Sequence, residues 1–303
     1  MNLKVNIAGV TLNNPVITAS GTFGFGREYG QFYDLSKIGG ISVKGLTLAP
    51  REGNPAPRIA ETPSGILNSV GLQNPGVKYY IEHELPYLKR QGVCVIANIA
   101  GSTEEDYCKM AEIVSDSDTD MIEMNISCPN VKEGGVAFGT VPKTVASITK
   151  SVRKYCKKPL IVKLSPNVTD ITETARAAEA EGADALSLIN TLMGMAIDIN
   201  TRKPILHNNI GGLSGPAVKP VAVRMVWQTA NAVKIPIIGM GGISCGSDAV
   251  EFMLAGASAV AVGTYNFADP YAAVNTVRGI EEYMTAHGIE DVNELVGGVV
   301  LNA

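Results

Sequence analysis

The chain has 303 residues, of which 46% are hydrophobic and 18% are charged, and its formal net charge is −4. This composition is typical of a well-buried globular protein, and the acidic balance disfavours a nucleic-acid-binding surface. No apolar run approaches the roughly 18 residues of a membrane span, and the amino terminus lacks the apolar core of a signal peptide, so we expect a cytoplasmic protein.

Eight short apolar runs punctuate the sequence, and amphipathic helical patterns follow most of them. Several runs are rich in β-branched residues and almost continuously apolar, which is typical of strands buried on both faces. This alternation predicts a (β/α)8 barrel, with a doubly wound sheet as the alternative. The runs are Val16–Ser20, Gly40–Gly45, Val93–Gly101, Met121–Ser127, Leu160–Ser165, Ala185–Thr191, Ile235–Ile243 and Ala259–Tyr265.

Helix start signals lie between these runs. Ser102 with Glu105 predicts a capping box, and Pro142 stands where a first helical residue is expected. Further helix N-caps are predicted at Thr169, Ser247 and Asp269.

The chain exceeds a typical barrel by about fifty residues, and the surplus falls in three places. Residues 3–13, with a turn at Ala8-Gly9, predict a hairpin that closes the bottom of the barrel. Residues 46–80 and 192–215 form two insertions after strand carboxyl ends, so we expect both to lie over the active face. No linker, repeat or low-complexity tract divides the chain, and we expect residues 1–303 to form one domain.

Polar residues stand at the carboxyl ends of strands that are otherwise apolar. If they were buried without partners, each would cost roughly 1–3 kcal/mol. Because these strand ends meet at one mouth of a barrel, their combination favours a binding site. The residues are Ser20, Lys44, Asn98, Asn125, Lys163, Asn190 and Thr191.

Glycines follow the last two strands, at Gly241-Gly242 and at Gly263-Thr264. Glycine lets backbone N–H groups approach an anion closely, and barrels frequently bind phosphate at this position. The pattern therefore predicts a phosphate site.

Lys44 and Lys163 end near-apolar strands, where a buried ammonium needs a partner. Such a lysine can form a Schiff base, or it can stabilise negative charge on a cofactor or on a substrate carboxylate. Two lysines beside a phosphate site and several amides favour the binding of a large, polar, anionic ring system.

Among the five cysteines, Cys128 alone follows a strand end, with Asn125 and Asn130 beside it and a glycine-rich, lid-like loop reaching Gly139. This position favours a catalytic base or a nucleophile, and its neighbours in the sequence leave both open. No C-x-x-C pair occurs, and the odd count with wide spacing disfavours disulfides and metal ligation, so no metal is predicted. The other cysteines are Cys94, Cys108, Cys156 and Cys245.

Seven ordered motifs through essentially the whole chain resemble the class 1 dihydroorotate dehydrogenases. More narrowly, they resemble the FMN-containing catalytic subunit of class 1B, the NAD-dependent type. The motifs are Ala19-Ser20-Gly21-Thr22-Phe23-Gly24, Val43-Lys44-Gly45, Arg51-Glu52-Gly53-Asn54-Pro55, Asn68-Ser69-Val70-Gly71-Leu72-Gln73-Asn74-Pro75-Gly76, Asn125-Ile126-Ser127-Cys128-Pro129-Asn130, Lys163-Leu164-Ser165-Pro166-Asn167 and Gly239-Met240-Gly241-Gly242-Ile243.

The resemblance implies an FMN cofactor in this chain, with its phosphate at the two glycine positions described above. It implies oxidation of (S)-dihydroorotate to orotate in de novo pyrimidine biosynthesis. The residues implied to bind FMN are Ser20, Gly21, Lys44, Gly45, Asn98, Asn125, Lys163, Ile189, Gly215, Gly241, Gly242, Gly263 and Thr264.

Substrate binding and catalysis are implied in the same way. Cys128 corresponds to the family's base, which removes the C5 proton while hydride passes from C6 to the flavin, and Lys44 is the second catalytic residue. A pyrimidine with amide edges and a carboxylate suits amide side chains and one ammonium. The residues implied to hold it are Lys44, Asn68, Ser69, Val70, Gly71, Leu72, Asn125, Asn190 and Thr191.

Class 1B further implies a partner subunit with FAD and a [2Fe–2S] cluster, which passes electrons to NAD+, in a heterotetramer of two catalytic and two electron-transfer subunits. The segment from Gly71 to Gly76 and the form Ile126-Ser127-Cys128 favour this class. The alternatives are a class 1A enzyme that uses fumarate, and a non-redox, phosphate-binding barrel lyase or isomerase that uses Lys44 or Lys163. Nucleic-acid and membrane partners are not expected.

Overall fold

The computed structural model describes residues 1–126 and 139–302. Strands and helices alternate along most of the chain, as the apolar runs predict. The strands are β1 (Val5–Ile7), β2 (Val10–Leu12), β3 (Val16–Thr18), β4 (Gly40–Ser42), β5 (Ile59–Thr62), β6 (Gly65–Asn68), β7 (Cys94–Ile99), β8 (Met121–Asn125), β9 (Leu160–Lys163), β10 (Ala185–Leu188), β11 (Leu192–Gly194), β12 (Ile197–Asp198), β13 (Lys203–Pro204), β14 (Gly211–Ser214), β15 (Ile237–Met240) and β16 (Ala259–Val262).

The helices lie mainly between the barrel strands. A single turn, α1, continues through a π-helical turn at Tyr80–Glu84 into α2. Short 3-10 helices cover Tyr29–Gln31, Leu35–Lys37, Pro216–Val218, Thr264–Phe267 and Val292–Leu295. The α-helices are α1 (Val77–Tyr79), α2 (Leu85–Arg90), α3 (Glu104–Ser115), α4 (Pro142–Arg153), α5 (Ile171–Ala180), α6 (Lys219–Ala230), α7 (Gly246–Leu254) and α8 (Ala272–His287).

Eight parallel strands close into a barrel in the order β3-β4-β7-β8-β9-β10-β15-β16. All eight coincide with the predicted apolar runs, and the (β/α)8 prediction is confirmed. Every residue of β9, β10, β15 and β16 is buried, because the barrel interior covers one face and the outer helices cover the other. Within the described residues, no helix is both long and apolar enough to cross a membrane.

The N-cap of α3 lies one residue later than predicted. The capping box is formed by Thr103 and Asp106 rather than by Ser102 and Glu105. The reason is that the Ser102 hydroxyl accepts a hydrogen bond from Arg51 at 2.7 Å, while Thr103 Oγ1 accepts the N–H of Asp106. The sequence places two hydroxyl residues side by side, and in the fold Thr103 caps the helix while Ser102 bonds to a distant arginine.

Three further cap predictions are wrong, whereas Pro142 does begin α4. Asp170, not Thr169, caps α5 through its side chain. Ser247 lies inside α7, and the N-cap residue there makes no side-chain hydrogen bond. Asp269 precedes the N-cap of α8 by two residues, and its carboxylate accepts the N–H of that N-cap residue at 2.9 Å.

The predicted amino-terminal hairpin is present, with β1 and β2 antiparallel and left-handed residues at Ala8 and Gly9. The two long insertions pair with each other in a four-stranded antiparallel sheet of order β11-β14-β6-β5. Leu67 of β6 is opposite Leu213 of β14. Residues of this sheet line the same cavity as the strand carboxyl ends, so the insertions cover the expected face.

Candidate active site

A deep cavity opens at the carboxyl ends of the barrel strands, beneath the four-stranded sheet. The strand ends and the two glycine turns contribute one part of its lining, and the insertions contribute the other. The residues singled out from the sequence that line it are Ser20, Gly21, Lys44, Gly45, Asn68, Val70, Gly71, Leu72, Asn98, Asn125, Lys163, Ile189, Asn190, Thr191, Gly215, Gly241, Gly242, Gly263 and Thr264.

Among the described candidate residues, Ser69 does not belong to that lining. Ser69 is 2% exposed, its N–H donates to the carbonyl of Arg58, and its own carbonyl accepts from Asn54 Nδ2 at 2.8 Å. Its role in substrate binding stays a prediction. Cys128 lies outside the described residues, as does the lid-like loop except for its last glycine, Gly139.

The turn after β15 has the close backbone approach expected of an anion site. Gly241 and Gly242 have φ angles of +122° and +87°, which L-residues with side chains rarely adopt. A Cβ on Gly242 would lie 2.8 Å from Lys219 Cβ and 2.9 Å from the carbonyl oxygen of Gly215. Only glycine fits there, and the turn keeps its backbone open to the cavity. On the opposite side, Thr264 Oγ1 donates to Ser214 Oγ at 2.7 Å.

A buried carboxylate supports this turn from behind. Asp248 accepts hydrogen bonds from the N–H and the hydroxyl of Ser244, at 2.8 and 2.7 Å, and from Lys219 Nζ at 2.7 Å. Burial opposes ionisation, but Lys219 and Ser244 together lower the pKa of Asp248 below its usual value. The ionised side chain therefore ties the turn to the helices α6 and α7.

Amide side chains meet on one wall of the cavity. Asn190 Nδ2 donates to Asn125 Oδ1 at 3.3 Å, and the hydroxyl of Tyr107 donates to the carbonyl of Asn125 at 2.6 Å. Asn68, on the covering sheet, donates from Nδ2 to the carbonyl of Gly212 at 3.4 Å. Amides from two barrel strand ends and from the insertion thus line the same space, although they are far apart in the sequence.

The two lysines enter the cavity from different strands. The ammonium of Lys44 lies next to the turn after β3, since a Cβ on Gly21 would be 3.9 Å from its Nζ. Lys163 ends β9 and is 4% exposed. Cations at these two positions can attract an anionic ring or a carboxylate.

Glu123 is a charged residue that was not among the candidates predicted from the sequence. It lies inside β8, is 2% exposed and accepts hydrogen bonds from Ser42 Oγ (2.8 Å), Asn98 Nδ2 (2.5 Å) and Ser187 Oγ (2.7 Å). Burial alone would raise the pKa of Glu123, but the Lys163 ammonium and these donors together lower it. The available signal was a carboxylate within an otherwise apolar strand, which requires buried partners.

The apolar part of the cavity lining was also not predicted from the sequence. It comes mostly from the two insertions, whose sequences carry no motif for it, because the pairing of β6 with β14 joins residues about 145 positions apart along the chain. The residues concerned are Ile59, Ile66, Met193, Ile210, Leu213 and Phe267.

The described cysteines lie away from this cavity. Burial, followed by the nearby Asp120, raises the pKa of the Cys94 thiol to about 12, so this side chain is a poor nucleophile and behaves as core. Within residues 1–126 and 139–302, no three His, Cys, Asp or Glu side chains are grouped as they would be around a metal ion.

Comparison with known proteins gives one family. The model of the family described as dihydroorotate dehydrogenase matches residues 2–284. A protein of Alkaliphilus metalliredigens is 61% identical over 299 residues, covering 99% of both chains, and one of Alkaliphilus oremlandii is 61% identical over 296 residues, covering 98% of both. A protein of Thermoanaerobacter pseudethanolicus is 58% identical over 299 residues, with 99% of both chains covered. All three are named "Dihydroorotate dehydrogenase B (NAD(+)), catalytic subunit".

Proposed function

The chain belongs to the dihydroorotate dehydrogenase family, and we propose that it oxidises dihydroorotate to orotate in pyrimidine biosynthesis, as the catalytic subunit of an NAD+-linked enzyme. The observation that carries this proposal is the high identity, along nearly the full length, to proteins of that name. The cavity supports it, because amides, two lysines and a glycine turn suit a planar, polar, anionic ligand pair. We further propose that all 303 residues act as one FMN-binding barrel.

The residues of the cavity fit FMN. Asn98 Oδ1 is buried and has no hydrogen-bond partner among the described residues, so it can accept from a ring N–H. Gly241 and Gly242 line the cavity in a turn whose φ angles favour glycine, so their backbone N–H groups can approach a phosphate. When bound, FMN supplies the acceptor for the substrate's hydride. The residues that would hold it are Ser20, Gly21, Lys44, Gly45, Asn98, Asn125, Lys163, Ile189, Gly215, Gly241, Gly242, Gly263 and Thr264.

The substrate would lie under the covering sheet. Lys44 provides an ammonium for its carboxylate, while the amides of Asn68, Asn125 and Asn190 can each donate and accept along the pyrimidine edge. Aliphatic side chains of the insertions, such as Leu213, exclude water from this side. The remaining proposed contacts are Ser69, Val70, Gly71, Leu72 and Thr191.

From the sequence alone, we propose that Cys128 is the base that removes the C5 proton. The hydride carries away the electron pair of the C6–H bond, and the electron pair of the C5–H bond becomes the C5=C6 double bond once the C5 proton has left. The reaction therefore requires a proton acceptor rather than a nucleophile. A free thiol has a pKa of about 8.5, and a cation nearby would favour the thiolate.

Electrons would leave through a partner subunit. The relatives' name, "catalytic subunit", supports such a partner. We propose that the partner carries FAD and a [2Fe–2S] cluster, reduces NAD+ and assembles with this chain as a heterotetramer of two copies of each.

The first experiment is purification of the full chain, followed by anaerobic addition of dihydroorotate. We expect a yellow protein whose flavin absorbance is bleached by dihydroorotate and not by dihydrouracil, which lacks the carboxylate. A protein that cannot take up FMN would contradict the oxidoreductase proposal. Steady turnover of the chain alone with fumarate, without a partner, would instead indicate the class 1A type.

A further inference from the structure

Glu123 lies at the centre of a polar layer inside the barrel. Its partners Ser42 and Ser187 belong to β4 and β10, neither of which is adjacent to β8, so these bonds cross the barrel interior. Counted around the barrel, β4, β8 and β10 are the second, fourth and sixth strands. Alternate strands contribute each layer of a (β/α)8 interior, and such layers are usually apolar. A carboxylate here is therefore an exception that requires a function.

Asn98 and Lys163 belong to the intervening strands, β7 and β9, and both line the cavity. The layer that contains Glu123 is therefore adjacent to two residues that line the cavity. An ionised carboxylate can only accept hydrogen bonds, so Asn98 must direct its NH2 group towards Glu123. Its Oδ1 is then left on the other side, 3.0 Å from where a Cβ on Gly45 would be.

The orientation of the Asn98 amide determines which hydrogen-bonding group lies beside Gly45. Gly45 lines the cavity, and Asn98 Oδ1 has no partner among the described residues. The buried amide oxygen is therefore an unused acceptor directly behind the Gly45 lining, and a ligand donor that reaches it would satisfy it. If Glu123 were neutral, its carboxyl could itself donate, and the Asn98 amide could rotate to offer NH2 instead.

Lys163 also depends on Glu123. No hydrogen bond, and no ion pair within 4.0 Å, reaches its ammonium from the residues that the structure describes, although the side chain is 4% exposed. A buried cation needs a compensating charge. Glu123 is on the adjacent strand β8, two residues before Asn125, which is the register partner of Lys163, and the Lys163 ammonium favours its ionised form.

We propose that Glu123 is a positioning residue, an anion beneath the cavity floor that fixes the Asn98 amide with its oxygen towards the ligand and balances the charge of Lys163. The floor then has an acceptor and a cation on the two strands that flank β8. The Asn98 oxygen suits an N–H donor of a ring, and the Lys163 ammonium suits an electron-rich edge of the same ring. The flavin of the proposed function has both groups. The identity of the ligand rests on the proposed function. The charge balance between Glu123 and Lys163 does not depend on it.

The test measures the FMN dissociation constant and the midpoint potential of bound FMN, with all variants at the same pH. Glu123→Gln keeps the shape of the side chain and removes its charge. We expect FMN to bind at least about tenfold more weakly, as for the loss of one charge-assisted hydrogen bond. We expect the midpoint potential to rise, because an uncompensated cation favours the reduced, more negative flavin. Lys163→Met should lower the potential.

A matched control separates charge from packing. Ser187→Ala removes one neutral donor from the same carboxylate and keeps the negative charge, so the potential should stay at the wild-type value. A shift in Ser187→Ala equal to that in Glu123→Gln would overturn the proposal, as would a folded Glu123→Gln with unchanged FMN affinity and potential.

Folding of the variants provides a second measurement that needs no flavin. The double variant Glu123→Gln/Lys163→Met removes both charges, so it should resist urea better than Glu123→Gln. If the double variant is no more resistant to urea than Glu123→Gln, the charge balance is wrong. Failure of the wild-type chain to bind FMN would contradict the proposed function, while this comparison would still decide the role of Glu123.

Discussion

Replacing Gly242 by alanine tests whether the turn after β15 is shaped for an anion. Gly242 has a φ angle of +87°, and its added Cβ would lie 2.8 Å from Lys219 Cβ and 2.9 Å from the carbonyl oxygen of Gly215. Gly9 is the matched control, since its φ angle is +89° and no atom lies within 4 Å of an added Cβ. The two positions share the backbone conformation and differ in the space around it.

The expected magnitudes follow from this difference. A side chain in the left-handed region costs roughly 1–2 kcal/mol, and both variants carry that cost. Overpacking adds about 1–3 kcal/mol at Gly242, because two of the contacts are backbone atoms that cannot rotate away. We therefore expect Gly9→Ala to lose about 1–2 kcal/mol of unfolding free energy and Gly242→Ala to lose about 2–5 kcal/mol.

The assays are urea unfolding of the full chain without flavin and titration with FMN followed by quenching of flavin fluorescence. Gly9→Ala should bind FMN like the wild type, whereas Gly242→Ala should bind it at least about tenfold more weakly, which corresponds to about 1.4 kcal/mol. Equal stability losses in both variants, or wild-type FMN affinity in Gly242→Ala, would refute the reasoning that this turn closely surrounds a phosphate.

Three further predictions concern catalysis, pH dependence and folding. Cys128→Ala should retain FMN yet be reduced by dihydroorotate at least about 100-fold more slowly, with partial recovery in Cys128→Ser at high pH; wild-type reduction of the alanine variant would exclude the proposed base. The pKa of Asp248 is lowered in the fold, so its stabilisation is complete above about pH 4 and is lost as pH falls further; Asp248→Asn should flatten the acid limb of the stability curve, and parallel curves for the two proteins would contradict this. Thr103→Ala should lose about 1 kcal/mol as an N-cap in urea unfolding. Ser102→Ala, which affects only the Arg51 bond, should lose less, and the reverse order would restore the cap predicted from the sequence.

The barrel could be predicted because its strands obey a local rule. Each of the eight runs is apolar over several residues, since both faces of a parallel strand are covered, and the sequence carries this signal without reference to any other segment. The caps depended on more distant partners. Ser102 and Thr103 are equally able to cap a helix; in the fold Thr103 does so, while Ser102 accepts from Arg51, about fifty residues earlier in the chain.

The covering sheet shows where local rules stop. The insertions could be located from their length and position, but the pairing of Leu67 with Leu213 requires knowledge of two loops at once. This pairing places Asn68 beside Gly212 and brings the aliphatic residues over the cavity. Ser69 does not line the cavity, although the residues on either side of it do, and both of its backbone groups are bonded within its own insertion.

Glu123 was not predicted for a different reason, because the rule for candidate residues covers only polar residues at strand carboxyl ends. Chemistry in a (β/α)8 barrel is expected at the carboxyl ends, and Glu123 lies two residues before Asn125, which ends its strand. Yet a charge within an apolar strand carries the stronger constraint, since it must find donors and a counter-charge inside the barrel. Here β4, β7 and β10 supply the donors and β9 the cation. The polarity of the ligand-facing atoms one layer above is thus determined by a residue that does not line the cavity.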